Sequence, residues 1–227
     1  MQPYFFPYVG YFQLIDAVDV FVVYDNIKYV KSGWINRNRL LRNGEPVTFS
    51  LPLKGASDHL DVRERELAAG FRADKLLNQI RGAYARAPQF AQVFPLLERI
   101  VRCDETNLFG YLHRALSILC GALGLGAELR ISSAIDIDHS LKKQDKVLAL
   151  CRALGAATYV NAIGGLELYS PEEFRREGVE LKFVRSKPFE YRQLGAPFVP
   201  SLSIIDVLMF NPIEAVRAHI SGSYELI

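Results

Sequence analysis

No apolar stretch in this sequence is long enough to cross a bilayer. The longest runs, such as VDVFVV, fall well short of the roughly 20 residues a spanning helix needs. A basic leader running into a small-residue cleavage site is also missing, so the expectation is a cytoplasmic protein with no membrane partner. Cysteine is scarce: Cys103, Cys120 and Cys151 match no metal-ligand spacing and leave an odd count. Charge of one sign is lacking too. A net +2 over 227 residues does not coat a polynucleotide, so no nucleic-acid partner is expected. The histidines, His59, His113, His139 and His219, form no metal-type pair, and no metal is expected. There is no Walker-type or dinucleotide glycine pattern and no nucleophile elbow.

What is present suits an ordinary globular chain: half the residues are hydrophobic and 23% are charged. We read residues 1–227 as one α/β domain, with a mostly parallel sheet, flanking helices, a β-hairpin and a helical subregion at about 71–125. The run VDVFVVYD is a buried strand ending at Asp25. Asn43-Gly44, between two strand-like stretches, marks a hairpin. Amphipathic spacing predicts helices in FRADKLLNQIRGAYAR, in PQFAQVFPLLERIV and, from an Asp104 cap to Gly124, in the longer LFGYLHRALSILCGALG stretch. The last third alternates. ELRISS, ATYVNAI and VELKFV read as strands, separated by helices in QDKVLALCRALG and PEEFRREG, which implies parallel pairing through crossovers. A loop from EYRQLG onward leads to a helix interrupted near Pro212, and Ser203 and Asp206 have the spacing of a capping box.

Candidate site residues follow from this outline. If residues 34–41 are extended, Trp34, Asn36 and Asn38 share one face as an amide-rich ligand wall. Ile35, Arg37 and Arg39 then share the other; an edge hairpin with solvated side chains is the alternative. Lys28, Lys31, Arg37 and Arg39 form a small basic cluster suited to one phosphorylated ligand. Gly164-Gly165, with Asn161 and Tyr169 nearby, follows a strand end, where α/β sheets gather ligands. Asp25 and His139, both just beyond strand ends, are the candidate general bases; a loop cap and a solvated loop histidine are the plainer roles. Cys120 and Cys151 lie in helical apolar patterns and read as core.

The segments MQPYFFPYVGYFQLI, VFVVYDNIKYVKSGWINRNRLL, ATYVNAIGGLELY and PFVPSLSIIDVLMFN, in that order, resemble the WbqC-like family over nearly the whole chain. Members carry a few residues ahead of the MQP element as a first strand, so the resemblance implies a clipped or misassigned start. Similar proteins are encoded among genes for bacterial surface polysaccharides, notably O-antigens with acylated amino sugars. That implies transfer of an acyl or aminoacyl group from a thioester to the amine of a nucleotide-linked sugar. Coenzyme A or an acyl carrier protein would be the co-substrate carrier, with no permanently bound cofactor. The motifs add Gln2, Tyr4, Tyr8, Gly10 and Tyr29 to the substrate-binding candidates. Within them, Gln2 to Gly10 is expected to turn a strand end into a helix starting near Tyr11, with the aromatics as a pocket wall. A non-catalytic binding or scaffolding subunit of the same pathway is the alternative. The opening is also similar to that of nucleotidylyltransferases, whose loop carries His-x-Gly-His. Here those positions are Tyr8-Val9-Gly10-Tyr11, and both histidines are missing, so a nucleotidyltransferase-like enzyme working through a different residue set is a further alternative.

Overall fold

The computed structural model describes residues 1–55, 59–195 and 197–227; Ala196, within the expected loop, lies outside them. In chain order the elements begin with α1 (Val9–Asp16), β1 (Val20–Val23), β2 (Arg37–Arg42) and β3 (Glu45–Ser50). The helices α2 (Ala73–Tyr84), α3 (Phe90–Val101) and α4 (Leu108–Leu123) follow. Then come β4 (Glu128–Ile131), α5 (Lys143–Leu154), β5 (Thr158–Ala162), α6 (Pro171–Arg176) and β6 (Glu180–Ser186). The chain closes with α7 (Ile204–Phe210), α8 (Ile213–Gly222) and β7 (Tyr224–Leu226).

The expected mostly parallel sheet is not what forms. Among the described residues three small sheets are present: β1 with β4, the β2–β3 hairpin, and β5–β6–β7. Parallel pairing does hold within β1–β4 and within β5–β6, while β7 joins β6 antiparallel. The reason lies in β4. Its Glu128 and Arg130 are exposed and pair with each other at 2.9 Å, the charged surface of an edge strand rather than the apolar run of a central one. On the other side of β1, the Met1 amino group donates to the Val22 carbonyl (2.7 Å) and Tyr24 N–H donates to the Met1 carbonyl (2.8 Å), a parallel bridge.

Local chemistry explains the remaining boundaries. Asn43 (φ 54°) and Gly44 (φ 80°) take the two positive-φ places of a tight hairpin turn, which sets the register Arg37↔Ser50 to Arg42↔Glu45. Helix α4 ends on Gly124 and α5 on Gly155, both left-handed at φ 68° and 61°. Asn107, not Asp104, caps α4: its side-chain oxygen accepts from Gly110 N–H at 3.1 Å. Helix α1 begins at Val9, two residues before the expected start.

One large core runs from Phe5, Phe6, Phe12 and Phe21 through α4 to α7, and a satellite of Val147, Leu148, Cys151, Phe174 and Val179 seats α5 and α6 on β5 and β6. Cys120 and Cys151 are buried as expected, and burial pushes their thiols up to about 12 and about 11. No described helix is long and apolar enough to cross a membrane.

Candidate functional site

The carboxyl ends of β1 and β4 deliver two short polar segments to one place, Tyr24-Asp25-Asn26 and Ser132-Ser133. Asp25 is buried, and its carboxylate accepts from Ser133 N–H (2.9 Å) and from the Ser133 hydroxyl (2.5 Å), with Arg63 Nη1 at 3.8 Å. Beside it, Asn26 Oδ1 accepts from the Ser132 hydroxyl (2.7 Å) and from Lys146 Nζ (3.2 Å). Those two donors fix the amide orientation, so Asn26 Nδ2 donates to His139 Nδ1 (3.0 Å). The other ring nitrogen, Nε2, then carries the proton and donates to the Ile135 carbonyl (3.0 Å). His139 is therefore held in one tautomer with both nitrogens engaged.

Lys146 completes this cluster. It is 8% exposed, one turn into α5, with its ammonium 5.4 Å from the centre of the Tyr24 ring. Burial pulls its pKa below the ordinary lysine range, Arg63 adds to that, and Asp25 and Asp61 oppose it. An amine eased toward neutrality, an amide and an imidazole thus stand in a hydrogen-bonded row at the ends of two parallel strands. Such a row can bind a polar ligand and exchange a proton with it.

The opening loop is built differently. Phe6 takes φ 46°, a strained value for a bulky residue, and the surroundings hold it there. Asn38 Nδ2 donates to the Phe5 (3.1 Å) and Phe6 (2.8 Å) carbonyls, the Ser203 hydroxyl donates to the Phe6 carbonyl (2.9 Å), and Ile204 N–H donates to the Pro7 carbonyl (2.9 Å). Phe5 N–H bonds the Ile35 carbonyl at 3.1 Å. Three of the four expected blocks, the Pro-aromatic opening, the Trp34 segment and the PFVPSLS segment, are thus tied directly together. Tyr8 is 38% exposed beside Gly10, where an added Cβ would stand 2.4 Å from the Tyr8 ring and 2.9 Å from the Ser186 hydroxyl at the end of β6. Gln2 and Tyr4 are half-buried; the Tyr11 hydroxyl donates to the Gln2 carbonyl (2.8 Å), and Tyr4 packs on the Tyr11 ring.

The expected wall of Trp34, Asn36 and Asn38 does not form, because residues 34–36 are bent and β2 starts only at Arg37. Asn36 is consumed internally: it accepts from the Tyr29 hydroxyl (2.8 Å) and donates to the Leu51 carbonyl (2.8 Å). Asn38 is committed to the opening loop. The indole of Trp34 lies instead with Arg37 and Arg39, whose guanidinium carbons are 5.7 and 5.4 Å from the ring centre. Tyr29 is buried under the Arg65 guanidinium at 4.6 Å. Lys28 is exposed and pairs with Asp61 at 3.0 Å, while Lys31 is exposed on the following turn.

The fourth block packs at β5 and α6, where the Tyr169 ring meets Tyr159 and Phe174. At the end of β5, Asn161 Oδ1 accepts from Ala162 N–H (2.8 Å), and its amide nitrogen would be 2.5 Å from a Cβ at Gly165, whereas Gly164 faces open space. Tyr169 folds back to Tyr159, hydroxyl to hydroxyl at 3.4 Å. Burial raises the Tyr24 pKa above its ordinary value, and the Tyr169 hydroxyl adds to that. Two hollows occur elsewhere: one between Leu41, Ala83, Arg86, Leu194 and Phe210, the other between Arg130, Ile131, Ala134, Asp136 and Leu154. Neither is lined by Trp34, Gly164 or His139.

Sequence reasoning missed Lys146, Asn26, Ser133 and Asp206. For Lys146 a signal was available: it sits four residues before Leu150, in step with the buried face of α5. Asp206 does not complete a capping box. Ser203 alone caps α7, accepting from Ile205 N–H at 3.2 Å, and Asp206 turns inward. It accepts from the hydroxyls of Tyr84 (2.8 Å) and Tyr191 (2.7 Å) and from Gln193 Nε2 (2.8 Å).

Compared with known proteins, residues 2–218 match the WbqC-like protein family. The chain is 28% identical over 215 residues to uncharacterized protein Rv1507c of Mycobacterium tuberculosis (strain ATCC 25618 / H37Rv), covering 93% of this chain and 91% of the relative. No solved structure matches.

Proposed function

The chain belongs to the WbqC-like protein family, and on that premise we propose that it joins an acyl or aminoacyl group, carried as a thioester, to the amine of a nucleotide-linked amino sugar in surface-polysaccharide synthesis. The observation that carries this reading is the row Lys146–Asn26–His139, which runs from a buried ammonium to an exposed imidazole at the ends of β1 and β4. In the reaction the sugar nitrogen attacks the thioester carbonyl, a C–N bond forms, the C–S bond breaks, and sulfur leaves with the electron pair. The nitrogen sheds one proton, and the departing thiolate gains one. The reaction needs no covalent help from the protein. Orienting the two reactants contributes about 7–11 kcal/mol in well-aligned cases.

Three groups are at hand for the proton. Lys146 is shifted toward its neutral, accepting form by burial. Asp25 keeps lone pairs after its two bonds from Ser133, and Arg63 balances its charge. His139 accepts a proton only after Asn26 releases Nδ1. Incubating the protein with acyl thioesters and amino-sugar nucleotides, and following amide formation by mass spectrometry, tests the reading. Amide formed by the native chain and lost in Lys146→Met supports it; no amide across a broad panel of donors and acceptors overturns it.

A second reading, a non-catalytic binding subunit of the same pathway, is favoured by one fact: His139 and Asp25 both spend their polar atoms on internal bonds. It prevails if Asp25→Asn and His139→Ala leave polysaccharide modification intact while Trp34→Ala abolishes ligand binding.

A further inference from the structure

Arg37 and Arg39 leave β2 on the same side, and both guanidiniums lie within 6 Å of the Trp34 ring centre. Neither has a carboxylate partner among the described residues, although nine ion pairs form among those residues. Both are nevertheless held in place. Arg37 donates through Nε to the Gly33 carbonyl (2.9 Å) and through Nη2 to the Ser32 carbonyl (2.6 Å). Arg39 donates through Nη2 to the Ser201 carbonyl (3.1 Å). Backbone carbonyls orient these cations without neutralising them, and each guanidinium keeps N–H donors free. The indole that both approach is 38% exposed. Solvent-facing tryptophan costs apolar contact with water, and the two cations around this ring have no carboxylate to balance them. An occupant with a flat ring and a multiply charged anion answers both.

We propose that Trp34, Arg37 and Arg39 form a binding site for a nucleoside diphosphate moiety, the base stacking on the indole and the diphosphate received by the two guanidiniums. The inference rests on the sugar-nucleotide reading for its ligand class, and it gives the nucleotide a landing place outside the Lys146–Asn26–His139 row. Stacking of a base on an aromatic side chain and charge-assisted bonds from arginine to phosphate are the two interactions on which it depends. A long polynucleotide is disfavoured by the net charge of +2, too small for a backbone-tracking surface.

The protein reports on this site directly, because Trp34 is its one tryptophan. Titrating the full chain with uridine, guanosine or thymidine diphosphate should quench the indole emission to saturation for at least one of them. The matching nucleoside without phosphate should bind about tenfold or more weakly. Calorimetry should show a loss of about ten- to a hundredfold in Arg37→Gln and in Arg39→Gln, with thermal unfolding unchanged to separate binding from misfolding. Calorimetric affinity that is the same in both variants and in Trp34→Ala overturns the proposal, as does no saturable quenching by any diphosphate. Tighter binding of a single-stranded oligonucleotide than of any diphosphate also overturns it. Nucleotide binding at this site without amide formation sinks the transferase reading and leaves the site standing. Amide formation with nucleotide affinity indifferent to both arginine variants does the reverse.

Discussion

Asp206 is wholly buried and accepts three hydrogen bonds, from Tyr84, Tyr191 and Gln193. Tyr84 is itself committed: its hydroxyl oxygen accepts from Leu41 N–H at 2.9 Å, so its proton faces the carboxylate. Hydrogen bonds to a charged group contribute about 1.5–3 kcal/mol each, while removing a carboxylate from water costs several. Burial wins, holding the Asp206 carboxyl above its ordinary range even though all three donors pull the other way. The folded chain therefore keeps the Asp206 proton to higher pH than the unfolded chain does. This group's contribution to stability is fully present below the unfolded pKa of about 3.9 and is lost as pH rises through the folded value.

Replacing Asp206 with Asn tests that balance. The amide oxygen accepts from one tyrosine, but its NH2 turns a donor toward a second donor. The expected loss in urea unfolding at pH 7 is about 2–3 kcal/mol, a large share of the 5–15 kcal/mol typical of a domain. Ala at 206 strands all three donors and should lose about 3–5 kcal/mol. The decisive measurement is the gap between native and Asn chains at pH 7 and pH 5. Only the native chain titrates here, so the gap should widen on acidification. A gap that narrows means the three donors outweigh burial, and the reasoning fails.

Three further outcomes are expected. Asn38→Ala removes the donor that holds the Phe5 and Phe6 carbonyls and should cost about 2–4 kcal/mol in urea unfolding, with Trp34 emission shifting before the global transition. Gly165→Ala drives a methyl into the Asn161 amide and should lower stability by about 1–2 kcal/mol, whereas Gly164→Ala, facing open space, should change it by less than about 0.5 in the same melts. Lys146→Met removes a buried amine whose pKa is lowered, so the melt should be unchanged or rise by up to about 1 kcal/mol. Because the folded amine gives up its proton sooner than the unfolded one, its cost is greatest below its folded pKa and fades as pH rises. The variant's advantage should shrink accordingly between pH 7 and pH 10.

Local chemistry was legible wherever a residue had one backbone use. Asn43-Gly44 needs two positive φ values, Gly124 and Gly155 need one each, and Pro171 pre-sets the first turn of α6; those boundaries follow from the sequence. The alternating last third correctly implied β5 and β6 in parallel across α6. Strand partners were not legible. ELRI reads as a strand in any sheet, and only the β1 pairing reveals that its charged face makes it an edge. The pleat argument for Trp34 failed one step earlier. It assumed an extended chain from residue 34, and the bend there moves the indole to the arginine side.

The site residues divide in the same way. Asp25 and His139 are candidates in the sequence because strand ends collect polar groups, and the structure adds the Asn26 link that gives His139 its tautomer. Asp206 was hidden because Ser-x-x-Asp describes a helix cap and a buried acceptor equally well, and the Tyr84 that decides between them is 122 positions away. Lys146 was hidden by its type, since a lysine on a helix is by default a solvated one. A lysine in step with apolar positions, kept where burial disfavours its charge, is hard to account for by stability alone. The same holds for Phe6, whose strained φ is imposed by Asn38 and Ser203 from two distant segments. Lys146 stands at the strand ends and Phe6 in the opening loop, so the fold keeps an unfavourable arrangement at each of these two places.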